Sequence, residues 1–187
     1  MKSFFVFDVE SVGLHGEGFA VGGGVYLENG AAQSEFRYSC PISEAKGADS
    51  DREWVKANIP VLEVTHHTPS RVREMFWLEW LNAKEKYPEI IMAAECGWPV
   101  EARFLCACVD DSRESRNWTG PYPLLEISSV MMAAGMNPMD KYPRTESEPE
   151  HDPLGDARLS VRLLSEALTE LEIQNHFFKS FKEAPST

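Results

Sequence analysis

An unbroken apolar run that ends in two carboxylates opens the chain and constrains its fold. Residues 4–7 are Phe-Phe-Val-Phe, and Asp8 and Glu10 follow directly. Consecutive β-favouring residues predict a buried strand over residues 3–9. Positions 8 and 10 of a strand point to the same face, so the two acids repel each other unless a cation lies between them. The alternative is that the strand ends at Phe7 and that both acids are solvated.

The order of the remaining segments predicts a mixed sheet. Residues 18–28 and 32–40 favour strands joined by a turn at Glu28-Asn29-Gly30, and three glycines inside the first of them indicate a bulge or a close backbone approach. Further strands are predicted at 90–94 and 124–130, and helices at about 51–58 (capped by Ser50 or Asp51), 71–86 (capped by Ser70), 99–110 and 156–172. Three antiparallel strands followed by strands that alternate with helices indicate an α/β fold. Its mixed sheet has helices on both faces, and its order resembles that of the ribonuclease-H-like fold.

Composition places the chain among globular proteins. Its 187 residues are 43% hydrophobic. We expect a single domain over residues 1–187, with a core over about 3–172 and a frayed tail after about 181. No apolar run reaches the ~18 residues of a membrane span, and the early acids are atypical of a signal peptide. The four cysteines have neither CxxC nor zinc spacing, so we expect buried thiols in a reducing, cytoplasmic location.

The net charge of −12 restricts the kinds of nucleic-acid protein that the chain can be. It argues against a DNA-binding module, which would show a basic face. It does not exclude a nuclease, because divalent cations supply positive charge where the phosphate lies.

A second distinctive segment stands at the start of the predicted C-terminal helix and contains His151 and Asp156. An acid in a first helical turn is also what a helix N-terminus favours, worth ~1 kcal/mol, and a loop histidine can be a surface residue. A histidine held near a metal cluster, however, suits removal of a proton from a water nucleophile. Carboxylate oxygens suit Mg²⁺ or Mn²⁺, and two such ions can stabilise both the attacking and the leaving oxygen of a phosphoryl displacement.

These segments resemble the DEDD family of 3′–5′ exonucleases. Residues 7–14, Phe-Asp-Val-Glu-Ser-Val-Gly-Leu, are similar to its first motif, and His151 with the Asp-Ala at 156–157 is similar to the last motif of its histidine-containing DEDDh branch. Residues 100–105, Val-Glu-Ala-Arg-Phe-Leu, resemble the middle motif, with Glu101 where the family usually has aspartate. The resemblance extends over nearly the whole expected domain.

The resemblance implies a role for each motif. Asp8, Glu10 and Asp156 would hold two divalent cations, Mg²⁺ or Mn²⁺, around the scissile phosphate. Glu101 would contribute directly or through water, and His151 would act as the catalytic base.

The middle motif has two candidates. Glu95 follows the predicted strand at 90–94, whereas Glu101 precedes Ala-Arg-Phe-Leu at a predicted helix start, and for that reason Glu101 is preferred. If neither acid faced the site, the second cation would lose a ligand.

The resemblance also implies substrate contacts. The 3′ hydroxyl would meet Ser11 and Gly13, and Leu14 would lie near the terminal bases, although a turn that closes the strand explains Ser11 and Gly13 equally well. Trp98, close to Glu101, is the preferred aromatic for base stacking. The other candidates are Phe19, Trp54 and Tyr122 for stacking, and Arg103, Arg144 and Arg158 for phosphate, each arginine being more simply explained as solvated surface.

The sequence therefore favours a two-metal-dependent 3′–5′ exonuclease acting at the 3′ end of single-stranded RNA or DNA and releasing nucleoside 5′-monophosphates. RNA or short oligonucleotides are preferred, because an acidic surface repels long polyanions. The alternatives are a catalytically impaired nucleic-acid-binding domain of the same fold and a nucleotide-level phosphodiesterase. A homodimer is the other expected partner, through an aromatic patch of Phe76, Trp77 and Trp80 with Phe177, Phe178 and Phe181, although core packing explains the aromatics equally well.

Overall fold

A mixed β-sheet organises the chain. The structure, a computed structural model, describes the backbone of residues 2–182 and the side chains of residues 2–175. Five strands in this part form one sheet in the order β3-β2-β1-β4-β5. They are β1 (Ser3–Ser11), β2 (Gly18–Leu27), β3 (Ala32–Ser39), β4 (Ile91–Ala94) and β5 (Leu124–Glu126). The first three pair antiparallel, and β1, β4 and β5 run parallel, so the predicted α/β sheet is confirmed.

The described helices cover both faces of this sheet. They are α1 (Asp49–Asn58), α2 (Pro69–Lys86), α3 (Ala102–Asp111), α4 (Arg113–Arg116), α5 (Ile127–Ala133) and α6 (Pro153–Lys182). A short 3₁₀ turn (Ile42–Glu44) precedes α1, and a π-type turn (Gly97–Glu101) precedes α3. Within the described range, no helix is both long and apolar enough to cross a membrane. The tail expected to fray after residue 181 falls largely on residues 183–187, outside the described part.

The predicted fifth strand is wrong over its second half. It was expected over residues 124–130, but β5 ends at Glu126 and α5 begins at Ile127. Ile127 and Met131 are four residues apart, and both are fully buried in the cluster that packs under α6. This helical spacing on one buried face outweighs the β-favouring composition of the segment.

All four predicted helix starts differ from the structure by two or three residues, and α3 begins at Ala102 rather than at 99. Thr68, not Ser70, caps α2, because its hydroxyl accepts a hydrogen bond from the backbone N–H of Arg71 at 3.3 Å. Ala48 precedes α1 without any side-chain cap, so neither Ser50 nor Asp51 serves there.

The start of α6 lies at Pro153 rather than at residue 156. The carboxylate of Asp152 accepts hydrogen bonds from the N–H groups of Leu154 and Gly155, each at 3.0 Å. Asp152 therefore caps α6, and Asp156 lies in the first turn of the helix rather than at its first residue.

β1 separates two hydrophobic clusters because its side chains alternate between the faces of the sheet. Phe5 and Phe7 pack on one side against the aromatic residues of α2 and α3, whereas Phe4 and Val6 pack on the other side under α5 and α6. All four side chains are buried. The even-numbered positions of β1 therefore face α6.

The aromatic residues of α2 belong to the core. Phe76, Trp77 and Trp80 are all at most 2% exposed. Phe76 and Trp80 each lie with the ring centroid 5.6 Å from that of Phe5, in edge-on geometry, and the indole N–H of Trp80 donates to the carbonyl of Thr119 at 2.9 Å. These residues are thus unavailable as a dimer surface. The side chains of Phe177, Phe178 and Phe181, the other half of the expected patch, lie outside the described residues.

Gly22 lets α6 approach the sheet closely. A Cβ atom at this position would overlap the backbone of Pro153 and Leu154 at the start of α6. Gly22 also lies opposite Asp8 in the β1–β2 register. The close approach predicted for one of these glycines is therefore found here, and it brings the first turn of α6 against the end of β1 that carries the acids.

Candidate functional site

β1 carries two acids toward α6. Asp8 and Glu10 continue the row of Phe4 and Val6, so their side chains share the face that α6 covers. Asp8 is half-buried, and Glu10 is only 9% exposed. The strand continues to Ser11, so the alternative in which it ends at Phe7 with both acids solvated does not hold.

The start of α6 adds a histidine and a third acid. Glu10, His151 and Asp156 each place one potential ligand atom so that the three atoms lie within 4.8 Å of one another. His151 has a φ of 58°, a left-handed backbone conformation that a non-glycine residue adopts at an energetic cost. The neighbouring Asp152, besides capping α6, forms an ion pair with Arg37 of β3. The sheet and the helix together thus fix the loop that presents His151.

Both candidates for the middle motif reach this cluster. Glu101 ends the turn before α3 and is 8% exposed. Glu95 follows β4, is half-buried and accepts a hydrogen bond from the Ser160 hydroxyl at 3.1 Å. The charges of both acids act on Asp8, that of Glu101 more strongly. The charge of Glu101 therefore still acts on Asp8 despite the longer glutamate side chain.

The convergence of acids raises their proton affinities. Burial raises the pKa of Asp8 well above its ordinary value, and four neighbouring carboxylates raise it further: Asp156, Glu101, Glu10 and Glu95. Burial raises the pKa of Glu10 to about 7, with the charges of Asp156 and Glu101 adding to the effect. Burial likewise raises the pKa of Glu101 to about 7. A cluster of this kind is unfavourable at neutral pH without cations, and carboxylates with one imidazole form a donor set that fits Mg²⁺ or Mn²⁺.

One arginine lies inside this acidic cluster. The Arg144 guanidinium lies 2.6 Å from a carboxylate oxygen of Asp156. Burial raises the pKa of Asp156, while the hydrogen bond from Arg144 and the charge of His151 lower it. The sequence offered Arg144 as a candidate for phosphate contact, with a solvated surface position as the simpler explanation, whereas the structure pairs it with Asp156. Its position only seven residues before His151 was the available signal. Arg158, by contrast, is paired with Glu35.

The turn after β1 borders the cluster. The Ser11 hydroxyl donates to the carbonyl of Gly13 at 2.8 Å, so its hydrogen is used within the turn. Gly13 has a φ of 72° and lies against Asp51 of α1, so a side chain here would be strained and would collide. Leu14 is 66% exposed and projects from the same turn.

The aromatic candidates for stacking occupy very different places. The ring of Trp54 on α1 meets that of His151 edge-on with centroids 6.2 Å apart, and Trp54 is 55% exposed. Trp98 is exposed in the turn before α3, whereas Phe19 is buried in the core. Tyr122 precedes β5 and so lies at the amino ends of the parallel strands, whereas the acids lie toward the carboxyl end of β1. Among these residues, Trp54 is the aromatic beside the histidine.

Comparison with known proteins bears on the fold. No protein-family model and no curated protein matches this sequence. The fold is similar to that of S. pombe Pop2p in its Mg²⁺- and Mn²⁺-bound form, with a TM-score of 0.60 and 12% identity over 87% of this chain and 81% of Pop2p. It is also similar to the moderately thermophilic Exonuclease I from Methylocaldum szegediense, with a TM-score of 0.61 and 14% identity over 89% of this chain. This chain covers only 41% of that exonuclease.

These two likenesses confirm the expected α/β fold. At these identities the likeness establishes the arrangement of the sheet and its helices.

Proposed function

We propose that this protein is a divalent-metal-dependent 3′–5′ exonuclease that releases nucleoside 5′-monophosphates from single-stranded nucleic acid. The observation that carries the proposal is the meeting of Glu10, His151 and Asp156, from a buried strand and the start of a helix, with ligand atoms within 4.8 Å. Asp8 lies next to them on the same strand face, with Glu101 close enough for its charge to act on it. Such an arrangement has little structural use without cations, since the acids repel one another.

Asp8, Glu10 and Asp156 would hold two Mg²⁺ or Mn²⁺ ions, with Glu101 as a further ligand directly or through water. Bound ions of this kind polarise a phosphoryl oxygen and make water a stronger nucleophile near neutral pH. His151, held by its backbone conformation and by the neighbouring ring of Trp54, would accept the proton of the attacking water.

The proposed place for the terminal base is between Leu14 and Trp54. Both side chains are more than half exposed, and the turn that carries Leu14 lies against Asp51, one helical turn before Trp54 on α1. A base stacked on Trp54 beside Leu14 would place its phosphate next to His151. Stacking is worth ~1–3 kcal/mol per base and tolerates any sequence, as an exonuclease requires.

A pocket that begins at His15, the residue after Leu14, favours a strand over a free nucleotide because it carries basic side chains. The pocket has a volume of about 330 Å³, and its lining includes His15, Lys46 and Arg103. Neither Lys46 nor Arg103 forms an ion pair within the described residues. On a chain with a net charge of −12, such a site is suited to the backbone of the preceding nucleotide. RNA or a short oligonucleotide is the proposed substrate, because the acidic remainder of the surface repels a long polyanion.

The test is digestion of a 5′-labelled single-stranded RNA and of its DNA counterpart with Mg²⁺, Mn²⁺ or chelator. We expect metal-dependent shortening from the 3′ end, which disappears in Asp8→Asn. The matched control is Asp110→Asn, which removes an exposed carboxylate on α3 and should digest normally. Glu101→Gln and Glu95→Gln, compared side by side, identify the middle ligand as the variant with the larger loss. No cleavage of either strand by a protein that binds Mn²⁺ would instead support the impaired binding domain or the nucleotide-level enzyme.

A further inference from the structure

We propose that Arg144 sets the affinity of the acidic centre for divalent cations by competing with them for the carboxylate of Asp156. The inference builds on the proposed function, since it concerns the same metal centre. It adds a positioning residue that none of the sequence motifs contains.

The contact between Arg144 and Asp156 is direct and partly shielded from water. An Nη atom of Arg144 lies 2.6 Å from Oδ1 of Asp156, whose side chain is only 15% exposed. Charge-assisted hydrogen bonds of this length are stronger than exposed ion pairs, which contribute little. An ion held by Glu10 and Asp156 would share this carboxylate and would lie close to the guanidinium charge.

The loop that carries Arg144 is held in place by α6. Arg162 of α6 donates to both carboxylate oxygens of Glu148, each at 3.0 Å, and to the carbonyl of Pro143 at 2.6 Å. The buried carboxylate of Glu148 also accepts from the N–H of Thr145 at 3.0 Å, and its carbonyl accepts from Arg144 at 3.2 Å. Residues 143–148 are therefore anchored to the helix that carries Asp156. This anchor holds the Arg144 guanidinium next to Asp156.

These contacts hold Arg144 where it competes with a cation for the Asp156 carboxylate. Before an ion can use the Asp156 carboxylate fully, the hydrogen bond from Arg144 must break or be shared, and the positive charge must move away. Both requirements weaken cation binding. Removing the guanidinium should therefore tighten binding about tenfold, the change expected for the loss of one charge-assisted hydrogen bond. The same removal leaves the carboxylates without a positive charge when no ion is bound, which lowers stability in chelator.

The experiment measures Mn²⁺ binding to the full chain at pH 8 without substrate, from the loss of the paramagnetic resonance signal of free Mn²⁺. Melting temperatures are recorded in chelator and in Mn²⁺. We expect Arg144→Gln to bind Mn²⁺ about tenfold more tightly, to melt lower in chelator and to gain more stability from Mn²⁺. Arg144→Lys keeps the charge and should stay closer to the wild type. Arg71→Gln is the control, because Arg71 pairs with Glu74 at the same 2.6 Å on an exposed helix face.

A second variant, Glu148→Gln, tests the anchor without altering any group near the ion. It should also tighten Mn²⁺ binding, because it loosens the loop that presents Arg144. Equal or weaker Mn²⁺ binding in a folded Arg144→Gln protein overturns the inference alone. A wild-type protein that binds no Mn²⁺ overturns the proposed function together with it.

Discussion

Glu10 is the acid whose burial gives the most direct test of the proposed centre. Burial and neighbouring charges raise its pKa from 4.5 to about 7. Because the folded state then holds its proton more tightly than the unfolded state, stability declines as pH rises from about 4.5 through about 7 and is lowest above that range. At 1.36 kcal/mol per pKa unit, the full loss amounts to about 3 kcal/mol. The neighbouring acids titrate together with Glu10, so one substitution recovers at most this amount.

The perturbation is Glu10→Gln, measured by urea unfolding in chelator at pH 5 and at pH 8. At pH 8 we expect the variant to be more stable than the wild type by up to about 3 kcal/mol, and at pH 5 the difference should shrink to below about 1 kcal/mol. Adding Mn²⁺ at pH 8 should reverse the order, because only the wild type keeps the full ligand set. Glu114→Gln, on the exposed face of α4, is the control and should change little. A variant that is less stable than the wild type at pH 8 in chelator would refute the reasoning.

Three further predictions test individual roles in hydrolysis. His151→Ala should lower kcat by ~10²–10⁴ if the imidazole is the base, and an unchanged kcat would remove it from the reaction. Trp54→Ala should raise KM by about tenfold or more on a short oligonucleotide, the size of one lost stacking contact, whereas a larger effect of Trp98→Ala would move the base to the other tryptophan. Lys46→Gln combined with Arg103→Gln should raise KM for a hexanucleotide and flatten its salt dependence while sparing a dinucleotide, and equal effects on both lengths would place the strand elsewhere.

Much of the fold was predictable because its signals are local. The apolar run before Asp8 identifies the central strand, and the period of two places Asp8 and Glu10 on one face. The helical spacing of leucines after Asp156 identifies α6. The strand and the helix that carry these acids could therefore be read from the sequence.

What the sequence did not predict depends on contacts between distant segments. The run after Glu126 has strand-like composition, and only the burial of Ile127 and Met131 against α6 decides for a helix. Arg144 differs from a surface arginine only through its loop, which Glu148 anchors to α6. Whether a loop residue forms an ion pair depends on where other segments hold the loop. No short sequence pattern encodes that position.

The close packing at Gly22 also makes the geometry of the acidic centre independent of changes in core side chains. Because the backbone of β2 touches the backbone of Pro153 and Leu154, the spacing between β1 and the start of α6 is set by main-chain atoms rather than by the size of core side chains. Apolar substitutions deeper under α6 would then alter stability while the separation of Asp8 and Asp156 stays the same. Gly22, where a single methyl group would move the two halves of the acidic centre apart, carries no functional group of its own.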